Sequence, residues 1–253
     1  MAKTPTQQQA RIDEIMEQAS AALVGRDYFL CEKLSVQALR RAHALHDFDR
    51  MARILLPLQE ARRQKRDMAR DAGTVCVVND QLPTGRKLVA GCYLVIPPRV
   101  GIDGRLLRDA ADEKRVPVIV IVREPVTREG LWPIVAVGPI TVRTKVSLPT
   151  VTEAKKPSSK KKAAPKEGEL LEEPPPPDWF IDTCEALGDA AIGQISADAP
   201  AASRVDQLFL RLDTVRDHEK LHQHLADTCR IAQREPPPKR KPIDELMQSE
   251  LDS

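Results

Sequence analysis

Val116-Pro117-Val118-Ile119-Val120-Ile121-Val122 sets five consecutive β-branched residues behind a proline. An apolar run this short and unbroken reads as a strand covered on both faces. Upstream, Ile102 to Arg115 has helical spacing, with Leu106, Leu107, Ala110 and Ala111 as its inward positions. Before that, Leu88 to Ile96 is a second apolar run, ended by Pro97-Pro98. Strand, helix, strand in this order predicts a right-handed crossover in a partly parallel sheet. Thr74 to Val78, Leu131 to Val137 and Ile140 to Val146 supply further apolar segments. In the last of these, Thr141, Arg143, Lys145 and Ser147 alternate with apolar partners, as in a half-exposed edge strand.

Outward from this centre the period changes to that of helices. Ile12, Ile15, Met16, Ala19 and Leu23 repeat at three- and four-residue steps. After Gly25-Arg26-Asp27, with Asp27 as N-cap, Tyr28, Cys31, Leu34, Ser35, Ala38, Leu39 and Ala42 form a second stripe. A turn near His46-Asp47 precedes a third, with Met51, Ile54, Leu55, Leu58 and Ala61, and Pro57 as a kink. The basic end, Arg62 to Arg70, reads as solvated, since cations suit a helix C-terminus. Beyond the centre, Trp179 to Ile195 and Val205 to Ala232 are again helical.

The fold class expected is α+β. Residues 1–9 read as a flexible N-terminus, 10–72 as a helical module, 73–150 as a small mixed α/β domain, and 151–177 as a disordered Lys/Glu/Pro-rich linker. Residues 178–234 read as a C-terminal helical hairpin and 235–253 as a flexible tail. With 39 basic against 37 acidic residues, no global attraction to nucleic acid or anionic membrane follows. The Lys155 to Lys166 cluster would have to act locally, and the glutamates from Glu167 to Glu173 cancel much of its field. The five cysteines are far apart and lie in apolar segments, reading as buried thiols of a reducing compartment. No run approaches the roughly 20 apolar residues a bilayer span needs. The address expected is cytoplasmic.

His218-Glu219-Lys220-Leu221-His222 resembles the HExxH motif of metalloproteases over five residues. The resemblance implies a metal held by His218 and His222, with Glu219 polarising a bound water. Arg216, Asp217 and Lys220 depart from the usual apolar setting, and only Glu235 is conceivable as a third ligand. The plainer expectation makes Asp217 an N-cap with Leu221 and Leu225 packed inward. A continuous helix over 205–232 would place Val205, Leu208, Leu212, Val215, Glu219, His222, Ala226 and Cys229 in heptad register. Glu219 and His222 suit that seam poorly, which favours a break near Asp217.

Leu23-Val24-Gly25-Arg26-Asp27-Tyr28, followed by Cys31, Ser35 and Ala38, resembles the turn and second helix of a tetratricopeptide repeat. Leu208 to Val215 followed by Arg216-Asp217-His218-Glu219-Lys220-Leu221 is similar to the same turn. The family's 34-residue spacing and its Trp, Gly, Tyr and Pro set are not reproduced. This resemblance implies protein binding without enzyme activity, by surfaces including Tyr28, Leu34 and Leu221. Ile243-Asp244-Glu245-Leu246-Met247 adds a short amphipathic segment, with Ile243, Leu246 and Met247 as docking residues. Lys239-Arg240-Lys241 resembles a nuclear-import triplet.

Neither GxxxxGK[ST] nor GxGxxG occurs. Val100-Gly101-Ile102-Asp103-Gly104-Arg105 sits after a strand and before a helix, where α/β sheets bind ligands, although Asp103 would repel phosphate. The reading that follows is a non-enzymatic scaffold with unidentified protein partners and no cofactor. The alternatives are a small-ligand or nucleic-acid-binding α/β domain around Pro97 to Arg105, and a metal-dependent hydrolase.

Overall fold

The computed structural model describes residues 5–83, 88–125, 130–148 and 173–235. The lysine cluster, the 239–241 triplet and Ile243, Leu246 and Met247 lie outside them.

Three helices open the chain: α1 (Pro5–Val24), α2 (Tyr28–Ala44) and α3 (Phe48–Asp71). The first begins at Pro5, so residues 5–9 are helical where a flexible end was expected. Two turns of one design join them. Arg26 (φ 60°) and His46 (φ 52°) each take the left-handed conformation. Each precedes an aspartate that caps the next helix: Asp27 accepts from Leu30 N at 3.0 Å and Asp47 from Arg50 N at 3.1 Å. Small side chains let α2 approach its neighbours, with Cys31, Ser35 and Ala38 all buried. Pro57 stands inside α3 without ending it.

The centre is a five-stranded sheet in chain order: β1 (Val75–Val78), β2 (Gly91–Val95), β3 (Val118–Arg123), β4 (Trp132–Val137) and β5 (Thr141–Val146). The first three strands are parallel and the last two pairings antiparallel, so the sheet is mixed. Helix α4 (Gly101–Glu113) connects β2 to β3. Strand β5 is an edge strand, with Thr141, Arg143 and Lys145 exposed around buried Val142.

Alternation splits the sheet residues between two cores. Tyr93, Val95, Val122 and Val135 pack with Leu107 and Ala111 of α4. Cys92, Leu94, Ile119, Ile121, Trp132 and Ile134 face the opposite side. There they join one apolar core with α1, α2 and α3 and with the three helices that end the described chain: α5 (Pro177–Gly193), α6 (Ala201–Thr214) and α7 (Glu219–Arg234). The C-terminal segment is therefore three helices rather than a hairpin alone. The helical ends meet directly, α3 against α7.

Helix α4 lies close to the sheet because glycines face it. A Cβ on Gly101 would stand 2.4 Å from Val137 Cγ2, and one on Gly104 2.2 Å from Val122 Cγ2. The two glycines three apart thus serve helix–sheet contact. Their spacing turns the helix so that Gly104, Leu107 and Ala111 point inward, while Leu106, expected inside, is 53% exposed.

Gly104→Ala should cost about 1–3 kcal/mol, because Val122 is held between neighbouring strands and has little room to shift. Gly193→Ala, with open space around its Cβ, should change stability little or raise it by a few tenths of a kcal/mol. Urea unfolding of both variants checks the pair; equal losses would sink the close-approach account.

Candidate functional site

The Arg62-to-Arg70 end of α3 is not wholly solvated. Arg62 and Arg66 are 5% and 9% exposed. They continue the apolar stripe of Met51, Leu55 and Leu58 into the interior as cations. Arg62 Nε donates to Glu32 Oε1 at 2.8 Å, and its Nη1 reaches Leu212 O and His222 Nε2. Lys65 bridges Glu32 at 2.6 Å and Asp112 of α4 at 2.5 Å. Arg66 holds Glu219 at 2.6 Å, Glu185 at 3.3 Å and the Asp217 carbonyl at 2.9 Å. Burial alone would raise the Glu32 pKa, but Arg62 and Lys65 outweigh it and hold the carboxyl well below its usual range.

A second charged group passes through the sheet. The β3/β4 ladder consists of Val122↔Val135 and Arg123↔Ile134. The bond from Gly91 N to Pro117 O turns the main-chain groups of Pro117, Ile119 and Ile121 toward β2. Those of Val120 and Val122 therefore face β4. Continued pairing would join Val120 to Val137, but the ladder stops one step short. An opening of about 560 Å³, including its solvent mouth, lies there. It is lined by Gly104 and Arg108 of α4 and by Cys184 and Leu187 of α5, which belong to opposite faces of the sheet. Arg108 meets Asp217 Oδ2 at 2.5 Å, with side chains 17% and 13% exposed. Burial would raise the Asp217 pKa; Arg108 overrides this and keeps the carboxyl below its usual value. Arg216 completes the lining and pairs with Asp109 and Asp112. Burial pushes the Cys184 thiol above its ordinary range.

The chain does break near Asp217, yet Asp217 is not the cap. Helix α6 ends at Thr214, and His218 caps α7, its Nδ1 accepting from Leu221 N at 3.2 Å. Asp217 is committed to Arg108 instead. A Cβ on Gly188 would lie 1.9 Å from His218 Cγ, so the bare backbone of α5 makes space for the ring. With Nδ1 accepting from Leu221, a neutral ring places its proton on Nε2, which lies 3.2 Å from Glu185 Oε2 and 3.4 Å from Asp189 Oδ1 without hydrogen-bond alignment to either. His222 Nδ1 donates to His218 O at 2.9 Å, leaving Nε2 to accept from Arg62 at 3.2 Å.

These contacts take the lone pairs a metal would need. His218 also precedes α7, so the two histidines do not share a helical face. Glu235 accepts from Ala201 N at 2.9 Å and so caps α6. Among the described residues, no group of three or more His, Cys, Asp or Glu is arranged to hold a metal ion.

The loop at Pro97 to Arg105 borders the sheet opening through Gly101, Gly104 and Arg105. Asp103 accepts from Val100 N at 2.8 Å and so occupies the start of α4 itself. Of the expected docking residues, Leu221 is fully buried in the main core, which removes it from any surface. Tyr28 and Leu34 are half-buried, Tyr28 beside Cys31 and Ala61 and Leu34 against the main core. Four of the five cysteines are buried and all are free. No helix is long and apolar enough to cross a membrane among the described residues. No protein-family profile, curated protein or solved structure matches this chain.

Asp217→Asn should lose about 3 kcal/mol by stranding Arg108 without its countercharge. Joint replacement by Arg108→Met and Asp217→Leu should cost less than the two single replacements summed, and a denaturation cycle over wild type, Arg108→Met, Asp217→Leu and the double variant checks it. Additive losses would remove the claim of direct coupling.

Burial, then Arg62, depress the His222 pKa to about 3. The unfolded chain therefore binds this proton first. Stability should be complete above about pH 6.5 and fall toward pH 3, by up to about 1.4 kcal/mol per pH unit for this one group. His222→Gln should flatten that slope between pH 6.5 and 5 in urea titrations; an unchanged slope would sink the assignment.

Proposed function

We propose that the protein is a non-enzymatic interaction scaffold, with tetratricopeptide-like hairpins at its start and a partner-binding surface on α4. The observation carrying this reading is the outer side of that helix. Ile102 and Leu106 lie one turn apart and are 47% and 53% exposed, and Val100 at the helix start is 56% exposed. Apolar side chains at i and i+4 form a continuous strip, unlike scattered single exposures. The titratable residues that converge elsewhere support the same reading. Glu32, Asp217, His218 and His222 are engaged by other groups of the chain, which suits positioning of helices better than turnover.

A double variant, Ile102→Asp with Leu106→Lys, tests it. Both side chains face away from the sheet, so melting temperature and circular dichroism should stay within a few degrees and a few percent of wild type (about the scatter of surface substitutions). Proteins captured from the native host by wild type should drop out with the variant. An identical captured set would refute the surface.

One observation favours a second reading, a small polar ligand bound at the β3/β4 opening. There Val120 and Val137 are not paired with each other, and Arg105, Arg108 and Arg216 line the gap. Against it, the arginines are paired with Asp109, Asp112 and Asp217, leaving no free charge to select a ligand.

A further inference from the structure

Arg123, the last residue of β3, differs from the arginines of the interior ion pairs. Arg62, Arg66, Arg108 and Arg216 each hold a carboxylate. Arg123 has neither an ion-pair partner nor a hydrogen bond among the described residues. Its guanidinium lies over the Trp132 indole, 5.1 Å from the ring centroid. Trp132 is 1% exposed, and among the described residues neither its Nε1 nor the enclosed Arg123 Nε has an acceptor. Trp179 meets Trp132 edge to face at 5.6 Å and has its own outlet, Nε1 to Ser147 O at 3.4 Å. Trp179 lies in the first turn of α5, whose N-cap, Pro176, offers no side chain to the first amides.

The guanidinium and the indole N–H bias the place toward negative charge. A half-buried guanidinium without a counterion loses hydration and regains only the attraction of the Trp132 ring face, and burial lowers its pKa. The start of α5 has no side-chain cap, and Asp178 in its first turn offsets its partial positive charge. A buried indole N–H without an acceptor is a donor awaiting one. One planar guanidinium beside one N–H suits a planar monoanion better than a phosphate dianion, which calls for more than one cation.

We propose that Arg123 and Trp132, beside Trp179, form a binding site for a carboxylate group. This site is independent of the α4 surface and stands or falls separately from it. Arg123 supplies the charge and the forked donors, Trp132 Nε1 supplies a further donor, and the indole stack holds the guanidinium in place. The carboxylate comes either from a small organic acid or from a glutamate side chain of an acidic peptide.

The sequence has two tryptophans, and both belong to this cluster, so intrinsic fluorescence reads it directly. Titration with glutarate and with a blocked pentaglutamate peptide, at constant ionic strength, should give a saturable change. Sodium chloride and a pentaglutamine peptide should give none. Response to both acids assigns a small-molecule site, and response to the peptide alone assigns an acidic protein segment. Arg123→Gln should weaken binding at least about tenfold, and Arg123→Lys should retain part of it, since it keeps charge without the fork. Trp132→Phe keeps the stack and deletes the donor. Read through Trp179, it should bind more weakly than wild type, which also covers the case of an Arg123 variant that fails to fold. Equal responses from wild type and folded Arg123→Gln, or a chloride response as large as that to the acids, would overturn the site.

Discussion

The arrangement depends on the burial of three cations from one helix. Arg62, Lys65 and Arg66 project from α3 at helical spacing into the space between the helical layer and the edge of the sheet. A charge taken out of water is tolerated only beside an opposite charge and enough hydrogen-bond acceptors. Those partners come from different parts of the chain: Glu32 of α2, Asp112 of α4, Glu185 of α5, Glu219 of α7, and the carbonyls of Leu212 and Asp217. The apolar core would tolerate small slips of one helix along another. The ion network does not, because each slip strands a charge. Helices separated by more than 100 residues in sequence are thereby held in one register.

That network explains what could be read from the chain and what could not. The five strands were legible because each is a short apolar run bounded by Gly, Pro or charge, and their number alone pointed to one sheet. The cap Asp27 and the turn at His46-Asp47 were legible because each precedes a helical stripe, and the arginines that pair with these aspartates, Arg115 and Arg50, leave both caps in place. Asp217 looked like a third example, but Arg108 claims it from another layer, and the neighbouring histidine takes over the cap. No local pattern signals such a competition. Arg62 and Arg66 were misread because charge was taken as a sign of solvent. Their phase carried the correction: they continue the line of Met51, Leu55, Leu58 and Ala61, and a stripe that stays in phase stays inside.

The HExxH-like segment shows how the same competition removes chemistry that a motif suggests. Ligand geometry requires both imidazoles on a helix with a lone pair free. Here one ring ends the preceding turn and caps the helix, while the other is fixed between a backbone carbonyl and Arg62. Glu219, the would-be base, is tied to Arg66. All three residues share in joining α7 to its neighbours. Neutral histidines suit that task because each ring offers one donor and one acceptor at once.

The sheet is covered unequally, and this decides where surface remains. Six helices contribute to the core on one face, and one helix of 13 residues packs on the other. A helix of that length spans about 20 Å with a width of about 10 Å, whereas five strands extend about 24 Å across. The single crossover therefore covers the middle of its face and leaves its own outer side uncovered by any second layer of described residues. The glycines at 101 and 104 deepen the asymmetry. By drawing the helix down onto Val122 and Val137 they turn Ile102 and Leu106 outward, so the contact that fastens α4 to the sheet is also the reason its apolar residues face water.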